Sequence, residues 1–393
     1  MTGAVTAGPA TRSLTSARVD ALAPGMLFGL LSEGAKYDAI DLAVGTPAAP
    51  DPSPAVVEAA CAAIRQGRNQ YGLPIGNPDL RRLIAGSLRT PADPDTDITM
   101  TVGATEGLAV AMLSIVDPGD EVILLDPCYE NFVSAVALAG GVPRFVPLRA
   151  PEWRADPAEL AAAFGPRTRA IVLNTPNNPT GHVLSREELA EIAELCERWN
   201  VAVISDEVYA KFVFDGNEHV SVADLPELRE RCVVIGSLSK SHAVSGWRIG
   251  YLRAAPALSA ALREVHVTVT GVASTPLQHA IAEAAAGDPA FWEPDQDLLA
   301  QRDITVEAFT ALGARCVPPQ GSCYVMADIR PVTTEDCETF AYRLAREAGV
   351  LVTPGKYFFA GERHSGDEFV RVAFNRTMSA LTEVRDRLTA YAR

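Results

Sequence analysis

Short, nearly unbroken apolar runs that each end in polar residues constrain this chain most. Glu121–Leu125, Ala170–Leu173, Val201–Ile204 and Cys232–Ile235 are continuous rather than alternating, as expected for strands of a sheet covered on both faces. Between them, Thr105–Val116, Asn131–Ala139 and Arg186–Trp199 carry helical periodicity. Strand–helix alternation predicts an α/β fold with a mostly parallel sheet. At 393 residues the chain has the length of two domains. From about Gly313 the pattern changes. Val317–Ile329, Val350–Thr353 and Glu368–Phe374 read as strands, with helices near Glu335–Ala348 and Ser379–Tyr391. This predicts a smaller α+β domain over 291–393, a large domain over 48–290, and an arm over 1–47 that packs with the smaller one through Asp41–Val44. The first 25 residues read as a loose arm, and the Ala-rich stretches 159–163 and 280–286 as helical.

The polar residues fall where such a sheet binds ligands, beyond the carboxyl ends of its strands. Asn-Thr-Pro-Asn-Asn-Pro-Thr-Gly (174–181), Ser-Asp-Glu-Val-Tyr (205–209) and Ser-Leu-Ser-Lys (237–240) follow successive apolar runs. Lys240 in a Ser/Gly-rich turn, with Arg248 eight residues on, is well placed as an amine nucleophile. Lysine forms a Schiff base with an aldehyde, and a nearby cation favours its neutral form. The same cation holds a phosphate. Aldehyde plus phosphate describes pyridoxal 5'-phosphate (PLP), with Lys240 then serving as general base and acid.

The other chemistry-bearing residues fit that reading, each beside a plainer one. Asp206 is common as a strand-end turn former, but a PLP enzyme needs a carboxylate against the pyridine nitrogen. Tyr209 is either a half-buried core tyrosine or a donor to the cofactor's 3' oxygen. Asn178 sits in a strong turn, with Asn178–Pro179 a candidate cis bond, and its amide suits the same oxygen. Thr-Val-Gly-Ala-Thr-Glu-Gly-Leu (101–108) is a strand–Gly–helix start, where free N–H groups bind phosphate. Gly103, Ala104 and Thr105 would form that cradle, closed by Ser237 and Arg248. Tyr129 either packs in the core or stacks on the pyridine. Arg371 lies inside the apolar run 369–374, which is costly without a partner. A structural ion pair or a bidentate clamp on a substrate α-carboxylate accounts for it. Gly45 either makes a turn or brings backbone to that carboxylate.

Composition narrows the partners. There are 34 basic and 49 acidic residues, a net charge of −15, which argues against nucleic acid or an anionic membrane. Seven cysteines, at 61, 128, 196, 232, 316, 323 and 337, show no metal or disulfide spacing. No histidine pairing signals a metal, and no signal-peptide core or membrane-length apolar run is present. A cytoplasmic, reducing location is expected.

Together these residues resemble the fold-type I PLP enzymes, specifically class I/II aminotransferases of the kynurenine and aromatic subgroup. The resemblance runs from Gly45-Thr-Pro to Arg371 and is most specific at Asn-Asn-Pro-Thr-Gly, Ser-Asp-Glu-Val-Tyr, Ser-Leu-Ser-Lys and Gly-Trp-Arg-Ile-Gly-Tyr (246–251). It implies an aspartate aminotransferase-like fold with a seven-stranded sheet, amino acid and 2-oxo acid substrates, and a homodimer with shared active sites. In that dimer Tyr71 would reach the neighbouring subunit's phosphate. Gln-Gly-Ser-Cys-Tyr (320–324) and Asn375-Arg376 depart from the family's usual residues, at places expected near substrate. The segment around Lys240 also resembles members acting on guanidino amino acids, for which Glu130 or Glu33 would supply a carboxylate. A PLP lyase, cyclase or oxidase on the same scaffold is the alternative. A PLP-binding regulator is disfavoured, because the roughly 45 residues before the first matching helix are not basic.

Overall fold

The computed structural model describes residues 14–22, 26–47, 51–293 and 298–393. The expected loose arm therefore falls largely outside the described residues, at 1–13 and 23–25.

The apolar runs form the middle of one large sheet. Its order is Ile98–Val102, Ile249–Ala254, Cys232–Ser237, Ala202–Asp206, Thr168–Asn174, Glu121–Asp126, Val142–Arg149 and Arg154–Ala155. Neighbours from Cys232–Ser237 to Val142–Arg149 are parallel. Ile249–Ala254 runs antiparallel to both of its neighbours. Beyond the expected seven strands, Arg154–Ala155 adds a two-residue antiparallel eighth, too short to show a periodicity.

Strand side chains alternate between faces, and here both faces are buried. Val122, Leu124, Val172, Ile204 and Val233 enter one core. Ile123, Leu125, Ile171, Leu173, Val203 and Val234 enter the other. Each such side chain contributes roughly 1.5–3 kcal/mol by leaving water. The crossover helix Arg186–Trp199 starts at a capping box of Ser185 and Glu188 and stops at Asn200 in the left-handed conformation.

A second, antiparallel sheet runs Arg315–Cys316, Tyr324–Asp328, Phe369–Ala373, Thr353–Pro354. Ile40–Asp41 pairs in parallel with Val350–Leu351 beside it. Helices Leu299–Ala311, Cys337–Ala348 and Met378–Tyr391 pack on this side around Phe309, Phe340, Leu344 and Leu388. The strand expected over 317–329 is confined to Tyr324–Asp328. Pro318 and Pro319 lack the N–H a ladder needs, and Ser322 takes a φ of 70°. The strand expected at Val350–Thr353 is divided, its halves pairing with Ile40–Asp41 and with Phe369–Ala373. Among the described residues, no helix is long and apolar enough to cross a membrane.

Candidate active site

Register places the chemistry side by side. Asn174 lies opposite Asp206, and Asp206 opposite Ile235 two residues before Ser237. These strand ends open into a cavity of about 810 Å³, walled on its other side by Tyr324, Thr353, Phe358 and Arg371. Lys240, Asp206, Tyr209, Asn178, Tyr129, Ser237, Arg248, Ala104, Thr105, Gly45 and Arg371 all line it.

Lys240 is the third residue of the short helix Leu238–Ser241, directly after its strand. Its Nζ donates to the Gly45 carbonyl at 2.8 Å. Burial lowers its pKa, and the charges of Arg371 and Arg248 push the same way, against Cys323 and Asp206. A neutral amine is thereby made accessible. Asp206 is buried, with one oxygen accepting the Val208 N–H at 3.2 Å. Burial, with help from Glu207, raises its pKa to about 7. Such a carboxyl is suited to a cationic partner.

Asn174 ties two strand-end loops together. Its amide donates to the Asp206 carbonyl at 2.9 Å, and its Oδ1 accepts from the Asn178 N–H at 2.7 Å. The Asn178–Pro179 bond is cis. Asn178 Oδ1 accepts from Arg371 Nη1 at 2.8 Å, which leaves its amide nitrogen for the cavity. The Tyr209 hydroxyl lies 3.0 Å from that of Tyr324, with the two rings edge-on. Tyr129 stands at the start of Glu130–Ala139, and burial raises its pKa to about 12.

Two guanidinium groups complete the arrangement. Arg371 Nη2 donates to the Ala43 carbonyl and to Thr353 Oγ1, and the group lies over the Tyr324 and Phe358 rings at 4.2 and 4.4 Å. Its buried Nε has no hydrogen-bond partner among the described residues. Arg248 donates to the Ser245 carbonyl at 3.1 Å and to Thr105 Oγ1 at 3.4 Å. Among the described residues neither arginine has a carboxylate within salt-bridge distance. Gly103 makes the second approach possible: a Cβ there would sit 2.5 Å from Arg248 Nη2, and its φ is +70°. Gly250 is needed too, since its Cβ would meet the Gly103 carbonyl carbon at 2.7 Å. The helix Gly103–Ile115 therefore starts with its first N–H groups under a guanidinium. The donor set fits PLP with an amino acid: an amine for the aldehyde, a carboxyl for the ring nitrogen, and separate anion sites for phosphate and α-carboxylate. No group of three or more His, Cys, Asp or Glu that could hold a metal ion occurs among the described residues.

The remaining candidates, Glu130 apart, lie outside the cavity. Tyr71 is 93% exposed and does not line the cavity of its own subunit. Glu33 pairs with Lys36 on the surface and does not line the cavity, whereas Glu130 does. Gln320 and Arg376 hold backbone rather than face the cavity. Gln320 Oε1 accepts from the Val183 N–H at 3.1 Å. Arg376 donates to the carbonyls of Asp41 and Thr46 at 2.6 and 3.0 Å, and to that of Val44. It thus fixes the segment carrying Gly45. Tyr324, Thr353 and Phe358 were not assigned roles from sequence, because their importance comes from contacts with Tyr209 and Arg371 across the fold.

The model of the family Aminotransferase class I and II matches residues 37–388. Methionine aminotransferase of Escherichia coli (strain K12) is 36% identical over 83% of this chain and 85% of its own length. Kynurenine–oxoglutarate transaminase 1 of Mus musculus is 33% identical over 94% of this chain and 95% of its own. The solved N-succinyldiaminopimelate aminotransferase of Mycobacterium tuberculosis superposes with a TM-score of 0.91 at 34% identity, covering 96% of this chain and 99% of that one. A Thermus thermophilus aspartate aminotransferase variant gives 0.88 at 31% identity, covering 96% and 100%. With the cavity's amine, carboxyl and paired guanidinium groups, these likenesses over almost the full length establish that the chain belongs to the class I and II aminotransferases, a family of PLP-using enzymes with the aspartate aminotransferase-like fold.

Proposed function

We propose that this aminotransferase holds PLP on Lys240 and exchanges an amino group there between an L-amino acid and a 2-oxo acid. The observation that carries the reading is the pair of guanidinium groups, Arg248 and Arg371, without carboxylate partners among the described residues, on one cavity with Lys240 and Asp206. Arg248, Ser237 and the N–H groups of Gly103, Ala104 and Thr105 hold the phosphate. Asp206 pairs with the ring nitrogen, Tyr129 lies against the ring, and Asn178 and Tyr209 address its 3' oxygen. When bound, the cofactor supplies an electron-withdrawing ring that acidifies the substrate Cα–H. Arg371 grips the α-carboxylate, with the Gly45 backbone beside it. Lys240 Nζ, biased toward its neutral form, takes the Cα proton.

The division at 48–290, with 1–47 and 291–393 forming the smaller unit, fits the two sheets that wall the cavity. A homodimer is supported by the exposed apolar side chains of Tyr71, Leu73, Val267 and Val269, of which Tyr71 would complete the neighbouring subunit's phosphate site. Seven free cysteines suit a reducing cytoplasm.

For the substrate side chain, Glu130 favours a basic amino acid. It lines the cavity, and burial raises its pKa, so a cationic group would relieve its desolvation. Glu130→Gln is expected to lower kcat/KM about tenfold or more for arginine or lysine while sparing neutral amino acids. Equal losses would remove this assignment.

The decisive experiment is an absorbance titration of the purified holoenzyme with single amino acids and no 2-oxo acid. One stoichiometric 2-oxo acid and a cofactor left in its amine form support transamination. Continued turnover with ammonia release supports a lyase, cyclase or oxidase instead. Lys240→Ala is expected to abolish both turnover and the absorbance of lysine-bound cofactor.

A further inference from the structure

Glu106 and His266 form a buried ion pair behind the anion cradle, and neither lines the cavity. Glu106 follows Thr105 in the first turn of Gly103–Ile115. His266, 0% exposed, lies in the last turn of Pro256–Val269. Its Nδ1 is 2.6 Å from Glu106 Oε1, and its Nε2 is 2.9 Å from the Pro74 carbonyl. A carbonyl oxygen only accepts, so Nε2 carries a proton. Glu106 also accepts from the Val102 N–H and from Thr270, a donor set that suits a carboxylate, with Nδ1 then protonated as well. The geometry is that of an imidazolium.

The placement gives that charge a task. A carboxylate in a helix's first turn suits the helix dipole, yet it repels an anion bound at the same N–H groups. The imidazolium cancels it. The same ring also anchors the Pro74 carbonyl, and the adjoining Ile75 carbonyl accepts from the Met100 N–H in the strand leading to the cradle. One histidine thus joins the cradle helix to the segment that carries Tyr71.

We propose that His266 is a positioning residue, held as an imidazolium at neutral pH, that neutralises Glu106 behind the phosphate cradle and fixes the Tyr71 segment beside it. This rests on Gly103–Thr105 and Arg248 being the phosphate site. Burial disfavours the charged ring, but Glu106 and the Pro74 carbonyl outweigh it and raise the pKa above the ordinary imidazole value. Burial likewise opposes ionised Glu106, and its hydrogen bonds, led by that from His266, hold its pKa below the ordinary value. Glu106 is the charged group that acts on the ring. The imidazolium is kept below its raised pKa and lost as pH climbs through it, so phosphate retention should weaken at alkaline pH.

The test compares dissociation constants for PLP and for pyridoxal, which lacks phosphate, in His266→Asn, in Glu106→Gln/His266→Asn and in the unmodified enzyme. His266→Asn is expected to bind PLP roughly tenfold or more weakly with little change for pyridoxal, because one uncancelled charge then faces the phosphate. The double variant should recover most of the loss. Equal losses for both ligands, or no recovery, would overturn the proposal. A second readout needs no variant: nitrogen NMR of histidine-labelled holoenzyme should show one ring protonated at both nitrogens at pH 7.5, and a neutral ring at His266 refutes the assignment. If the unmodified enzyme binds pyridoxal as tightly as PLP, it is the phosphate-site reading that falls.

Discussion

Asp206→Asn offers a prediction whose sign runs against intuition: the variant should lose activity and gain stability when the cofactor is absent. Burial raises the Asp206 pKa from 3.8 to about 7, a change on the order of 4 kcal/mol between its two protonation states. Below pH 4 the carboxyl is neutral in both folded and unfolded chains and the substitution does little. Between pH 4 and 7 the unfolded chain ionises first, so the folded state binds more protons and stability falls as pH rises. Above pH 7 the full cost of a buried carboxylate is present. Asparagine removes that cost, so the cofactor-free variant should exceed the unmodified chain by up to roughly 4 kcal/mol at pH 8.5, about 5 °C in Tm for a chain of this size. With the cofactor bound as proposed, a protonated ring nitrogen beside Asp206 would offset the cost, and the order should reverse or close. The assay is thermal unfolding of both proteins, with and without cofactor, from pH 5 to 9. A Tm difference that is absent or independent of pH in the cofactor-free proteins would refute the reasoning.

Arg371→Lys keeps the charge but not the fork, and should reduce kcat/KM by roughly 30- to 1,000-fold, mostly through KM, since about 2–4 kcal/mol of paired hydrogen bonding is lost; steady-state kinetics with an unchanged KM would count against the clamp. Gly45→Ala would drive a Cβ to 1.7 Å from the Tyr324 hydroxyl, costing about 1–3 kcal/mol of stability and loosening Tyr324 from Tyr209 and Arg371. Adding Tyr324→Phe should restore part of the Tm, because the hydroxyl is the nearest atom; a Gly45→Ala protein as stable and active as its parent would contradict this packing.

The strands and strand-end motifs were legible because both signals are local. Glu121–Leu125 and Ala170–Leu173 read as buried strands, and they lie within the strands Glu121–Asp126 and Thr168–Asn174, since each residue's face is fixed by the pleat and both faces are covered. The two-residue strand Arg154–Ala155 and the division of Val350–Thr353 between two partners were not legible, because their pairing is decided by what lies beside them. The Gln320–Tyr324 segment shows the same limit. Read as substrate-facing, it instead gives Gln320 to the Val183 backbone and only Tyr324 to the cavity.

By itself the sequence determined the fold class and the aminotransferase family, and it singled out the lysine and the two arginines that line the cavity, because those follow from periodicity and from residue types that have few other uses at strand ends. Only the tertiary structure decided that Gly45 must be glycine beneath Tyr324, that Arg376 grips the segment carrying it, that Glu33 is a surface charge, and that His266 faces two acceptors at once. These are meetings of residues tens to hundreds of positions apart. Local propensity carries no record of such distances; they are set when the two sheets and their helices close around one core.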